Sequence, residues 1–182
     1  MNASQQNSST AARFEPLDLT GSRQIINQSF PSLGLVEERM ANRLAMEFTR
    51  TIQSSVEVTV KESAIAKAHQ YMGALESPGC ANQLYFEALG GQGLLMIQNS
   101  VLFLFLEGLF GGSNIPVRMD KEPPERSRFS SVEERVVRRI VHLFGRAMEH
   151  AWRPLLPLTV RHLRVETKPS NIPIAEPGDS LV

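Results

Sequence analysis

One cysteine, Cys80, in 182 residues permits no internal disulfide. That fits a reducing, cytoplasmic compartment, where thiols stay free. An excess of one charge is also lacking, because 19 basic and 19 acidic side chains cancel to a formal net charge of zero. A nucleic-acid binder depends on surplus Lys and Arg to displace the counterions of phosphates, so no nucleic-acid partner is expected. No apolar run reaches the ~20 residues that cross a bilayer as a helix. The opening MNASQQNSST has no basic segment followed by an apolar one, and so reads as neither a signal peptide nor an anchor. Any membrane association is expected to be indirect, through a partner. No segment repeats another.

Chemistry-bearing patterns are equally scarce. The histidines are His69, His142, His150 and His162, and no two stand at the i, i+4 spacing that sets paired imidazoles on one helical face for a metal. Cys80 has no neighbours that would activate a thiolate, and a free cysteine is usually a small core residue. There is no GxSxG turn to expose a serine nucleophile. The GGQG at 90–93 lies between apolar runs that read as strands and is not followed by Lys-Ser/Thr, which argues against a phosphate loop. Glu133 and Glu134 are accounted for by capping and by the positive end of a helix dipole. Trp152, at the end of an apolar stripe, is expected in the core. Neither a catalytic residue nor a metal or cofactor site is expected.

What is present is organised around residues 99–114, NSVLFLFLEGLFGGSN. Val101, Leu102, Phe103, Leu104, Phe105, Leu106, Leu109 and Phe110 make a helix apolar on nearly every side, which predicts burial on every side at the centre of the core. Asn99 or Ser100 is the expected N-cap. Gly111 is the expected left-handed C-cap. Two residues without side chains at the tip of this helix, Gly111 and Gly112, followed by Ser113 and Asn114, also offer backbone to a partner.

Residues 1–12 are Ser, Gln, Asn and Ala, too polar to repay ordering, and are expected to be a disordered tail. Residues 13–21 read as an extended leader. Leu33, Val36, Met40, Leu44, Phe48 and Ile52 recur at helical spacing after Pro31, predicting a helix from Ser32. Val56, Val58 and Val60 alternate with polar residues, the period of a half-buried strand. Ala64, Ile65, Ala66 and Ala68 favour a helical turn, 71–75 a strand and 77–79 a turn. Two apolar runs at 84–89 and 94–97 with Gly90, Gly91 and Gly93 between them predict a hairpin. Residues 116–128, charged and rich in proline, read as a surface loop.

Ser131-Val132-Glu133-Glu134 predicts a capping box, opening a long helix whose stripe is Val136, Val137, Ile140, Leu143, Phe144, Ala147, Met148, Ala151 and Trp152. Pro154 and Pro157 end it, and 158–165 read as a strand. The element order predicts an α+β fold with α/β-like layers: a mixed sheet faced by helices, in one domain over residues 13–182.

The stretches RFEPLDLTGSRQIINQSFPSLGLVEERMANRLAMEFTRTI, YFEALGGQGLLMIQNSVLFLFLEGLFGG and RFSSVEERVVRRIVHLFGRAMEHAWRPLLP together resemble the middle domain of the flagellar motor switch protein FliM family. The resemblance runs from about Arg13 to Val182 and includes the Glu38 to Leu44 centre of the first helix. It implies a CheC-like fold and a non-enzymatic subunit of the cytoplasmic C-ring at the inner membrane. Such a subunit packs beside copies of itself and contacts the rotor protein FliG, with FliN a further candidate partner. The family's FliG-facing Gly-Gly-x-Gly loop is matched at Gly111 and Gly112, with Ser113 at the variable position and Asn114 in place of the last glycine. Asn tolerates left-handed backbone next best.

A CheC-type phosphatase is the enzymatic alternative, but its helix needs Asn three residues after Glu, and no Asn here stands so. A type III secretion ring subunit is the other alternative. The family's N-terminal helix for phosphorylated CheY has no counterpart in MNASQQNSST, which argues against that partner. The family also continues beyond the position of Val182. A homologue shortened at both ends is therefore expected, with an incomplete sheet that leaves a strand edge unpaired near 158–165.

Overall fold

The computed structural model of the chain describes residues 31–61, 63, 66, 67, 79–111, 129–167, 180 and 181. Three helices carry the structure: α1 (Pro31–Ile52), α2 (Asn99–Phe110) and α3 (Ser131–Trp152). Strands β2 (Cys80–Phe86), β3 (Gly91–Ile97) and β4 (Val160–Glu166) form a sheet in the order β3-β2-β4, and β1 (Ala66–Lys67) pairs with β5 (Ser180–Leu181). The class is α+β, as expected. Every described ladder is antiparallel, so the sheet is not mixed among the described residues.

The core lies where α2 and α3 meet the sheet and the end of α1. Ile52, Leu84, Ile97, Leu102, Phe105, Val136, Val137, Ile140, Val141 and Leu143 form one buried cluster. The stripes of α1 and α3 face inward as their spacing predicts: Val36, Leu44 and Ile52 on α1 are buried, as are Val136, Val137, Ile140, Leu143, Ala147 and Ala151 on α3. Phe144, Met148 and Trp152 are only half-buried. Val141 and Gly145 are buried as well.

At the start of α3 the capping box lies one residue earlier than the sequence suggests. Ser130 is the N-cap: the Glu133 backbone N–H donates to Ser130 Oγ at 3.3 Å, and Ser130's own N–H donates to Glu133 Oε2 at 2.8 Å. Ser131 is the first helical residue, and either serine has a glutamate three residues on, so sequence alone could not choose between them. Loss of the cap oxygen in Ser130→Ala is expected to cost about 1 kcal/mol. Thermal unfolding would then show a Tm lower by roughly 2–4 °C, whereas Ser131→Ala should leave it nearly unchanged.

Three further expectations are corrected. Residues 55–61 belong to no strand. The backbone N–H of Val56 donates to Thr49 Oγ1 at 3.0 Å, turning this segment back on the end of α1. The alternation of valines still half-buries Val56 and Val58, but no strand pairs with them among the described residues. Ala66 lies in β1 rather than in a helical turn. The N-cap of α2 is Gln98, with no side-chain cap bond, rather than Asn99 or Ser100. The leader at 13–21, the segment at 71–75 and the loop at 116–128 lie outside the described residues.

The hairpin is present, but β2 begins at Cys80, not Leu84. It is the central strand, buried on both faces from Cys80 through Leu84. Gln83 Nε2 donates to Gln92 Oε1 at 2.6 Å and Arg164 Nε donates to Gln83 Oε1 at 3.0 Å, a polar line across all three strands. The turn passes through Glu87–Leu89 and closes at Gly90, whose φ of 61° suits a residue without Cβ. Strand β4 has β2 on one side and no described strand on the other. Its register skips between Arg164, opposite Gln83, and His162, opposite Leu84, which leaves Leu163 as an extra residue, a β-bulge.

Candidate functional site

The end of α2 is where the structure departs most from uniform burial. Phe105 is fully buried, its ring set edge-on to Phe48 with centroids 4.8 Å apart. Leu102 is buried beside it, and Gly108 lets α2 come so close to α1 that a Cβ there would stand 2.5 Å from Ile52 Cβ. These contacts fix one face of the helix. The last turn is left open: Leu109 is 43% and Phe110 is 71% exposed. Val101, Phe103, Leu104 and Leu106 are intermediate. The expectation of burial on all sides fails at the last turn, whereas Val101, Leu104 and Leu106 pack partly buried against the core cluster.

Gly111 caps the helix as expected. Its φ is +83° and its N–H donates to the carbonyl of Glu107. A Cβ at Gly111 would meet nothing within 4 Å, so glycine is required by the left-handed backbone alone. Phe110 and Gly111 thus form an exposed aromatic next to exposed backbone. Phe110 was legible as apolar but not as exposed, and the other three residues singled out from sequence, Gly112, Ser113 and Asn114, lie outside the described residues.

Other chemistry-bearing side chains are dispersed. Among the described residues no three His, Cys, Asp or Glu side chains are placed to hold a metal ion. Cys80 is fully buried, and that burial pushes its thiol pKa up, partly offset by the Asn82 side chain, whose Nδ2 lies 3.4 Å from Sγ. A buried thiol held neutral is a poor nucleophile. His162 is half-buried and its pKa is pushed down, chiefly by loss of solvent and further by Arg138, against a backbone hydrogen bond with Arg164. His142 and His150 are exposed on α3. No helix of the described residues is long and apolar enough to cross a membrane.

A sequence model of the family described as flagellar motor switch protein FliM matches residues 26–182. The flagellar motor switch protein FliM of Salmonella typhimurium is 27% identical over 172 residues, covering 93% of this chain and 50% of that one. The chain therefore spans about half the length of the curated relatives it matches. The middle domain of FliM from Vibrio alginolyticus superposes with a TM-score of 0.70 at 23% identity, over 82% of this chain and 80% of that one. A FliM chain solved in a FliG–FliM complex from H. pylori gives a TM-score of 0.73 at 19% identity, over 84% of this chain and 81% of that one. At these identities the solved structures carry the fold alone.

Proposed function

Because the chain belongs to the family of the flagellar motor switch protein FliM, we propose that it is a structural subunit of the flagellar switch ring that docks on FliG through the exposed end of α2. The observation that carries this is Phe110, an aromatic left 71% exposed at the tip of the most apolar helix. Exposed apolar residues occur elsewhere on the chain, but Phe110 is the one aromatic among the large hydrophobics exposed in the described residues, and aromatics are enriched among interface hot spots. The H. pylori relative, solved with FliG, supports the choice of that partner.

In this reading residues 13–182 act as one middle-domain unit. Copies stand side by side in the cytoplasmic C-ring, FliN is a further neighbour, and contact with the inner membrane is through the basal body. The unit does no chemistry. Its contribution is to pass a change of orientation from its neighbours to FliG through a helix fixed at Phe105.

The measurement is FliG binding by titration calorimetry. Phe110→Ala and Gly112→Asp are each expected to weaken FliG binding by about tenfold or more, the size of a hot-spot loss. Far-ultraviolet circular dichroism should stay that of the parent. Parental affinity in both variants would remove the proposed contact.

A further inference from the structure

At the far end of α3 an open cleft of about 370 Å³ is lined by Arg43, Arg146, Glu149, His150, Arg153 and Thr159, among others. The residues come from three places: Arg43 from α1, Arg146 to Arg153 from the last turns of α3, and Thr159 from the loop before β4. Arg146, His150 and Arg153 stand at i, i+4 and i+7 and so share one helical face. We propose that this cleft binds a small phosphate-bearing anion. The inference is independent of the FliG contact.

Positive side chains near a helix C-terminus are favoured by the dipole, but that effect fades beyond the last turn. It accounts for His150 and Arg153. It does not account for Arg146, six residues before the helix ends, nor for Arg43, which another helix brings to the same place. Arg43 gives one arm to Glu47, with Nη2 to Oε1 at 2.7 Å. Its Nε is buried and has no hydrogen-bond acceptor.

The acidic lining residue is partly committed elsewhere, since Glu149 Oε1 accepts the Val160 backbone N–H at 2.8 Å. Three arginines thus line the cleft with one carboxylate, Glu149, and among the described residues only Arg43 of the three is ion-paired, with Glu47. Guanidinium forks match the paired oxygens of phosphate. The cleft also falls in the ~300–1,000 Å³ range of small-ligand sites.

The test uses the full chain, with pyrophosphate as the probe and sodium chloride at equal ionic strength as the reference. At about ten times its Kd, pyrophosphate should raise the Tm of the parent by roughly 3–5 °C. Multivalent anions stabilise many proteins by exclusion from their surface, so the deciding quantity is the difference from the Arg146→Gln/Arg153→Gln double variant. Both arginines are exposed, and the variant should fold with an unchanged circular dichroism spectrum. Loss of most of the Tm rise, with a Kd at least about tenfold weaker by calorimetry, supports the site. An equal rise in parent and variant, or no rise in the parent, overturns it.

Discussion

Truncation of Phe105 to Ala is expected to cost about 3–5 kcal/mol, the range for a fully buried aromatic whose removal leaves a cavity as well as a lost transfer energy. The residue is 0% exposed and its ring meets Phe48 edge-on, a geometry that adds about 0.5–1.5 kcal/mol beyond area. Urea unfolding followed by circular dichroism should show a lower midpoint with an unchanged slope, the sign of lost stability in an unaltered fold. The same truncation five residues on, Phe110→Ala, should fall within about 0.5 kcal/mol of the parent, as at a surface site. Leu104, half-buried, should lie between them. A helix buried on all sides would give similar losses at all three positions, so the ranking decides whether the last turn of α2 is open as described. A loss below about 1 kcal/mol at Phe105 would put its ring outside the core.

A second large effect is expected at Gly79, one residue before β2. A Cβ there would overlap the carbonyl oxygen of Ile97 and stand 2.5 Å from the nitrogen of Asn99 and 2.6 Å from the carbonyl carbon of Gln98. All three are backbone atoms and no rotamer change can clear them. Gly79→Ala must therefore push apart the end of β3, the start of α2 and the entry to β2, at a cost of about 3 kcal/mol or more. Gly90→Ala is the control. Its φ is positive, but nothing lies within 4 Å, so it should lose only the conformational term of about 1 kcal/mol. Comparable losses in the two variants, measured by urea unfolding, would show that the close approach at Gly79 is not maintained.

The contrast between these glycines also shows how much could be read from the chain. A local pattern is legible when one element's own geometry produces it. The inward stripe from Val136 to Ala151, the hairpin closed at Gly90 and the left-handed cap at Gly111 each follow from spacing or from a backbone angle. Features that depend on a second element are not legible. Val56, Val58 and Val60 have the period of a strand, yet a strand also needs a neighbour to bond with, and they have none among the described residues. The exposure of Phe110 depends on which faces of α2 are covered. Asn82 and Gln83 are buried because β2 is central, although their polarity argued for starting the strand at Leu84. The basic cleft joins Arg43 to Arg153 across the chain, and in the sequence each reads as an ordinary solvated helix residue. Element order already pointed to the α+β class, and the FliM resemblance added the family.

The bulge at Leu163 bears on how copies of such a domain could sit next to one another. A regular outer edge on β4 would let a neighbour add its own strand and prolong the sheet from subunit to subunit. Each added strand turns by roughly −20 to −25° relative to the last, so a sheet shared in that way winds into a coil and does not close in a plane. An extra residue in the outermost described strand, flanked by His162 and Arg164, breaks the bonding rhythm that such pairing requires. Were copies to stand side by side as proposed, they would meet through side chains, whose contacts slide and tilt by small amounts without unzipping a ladder.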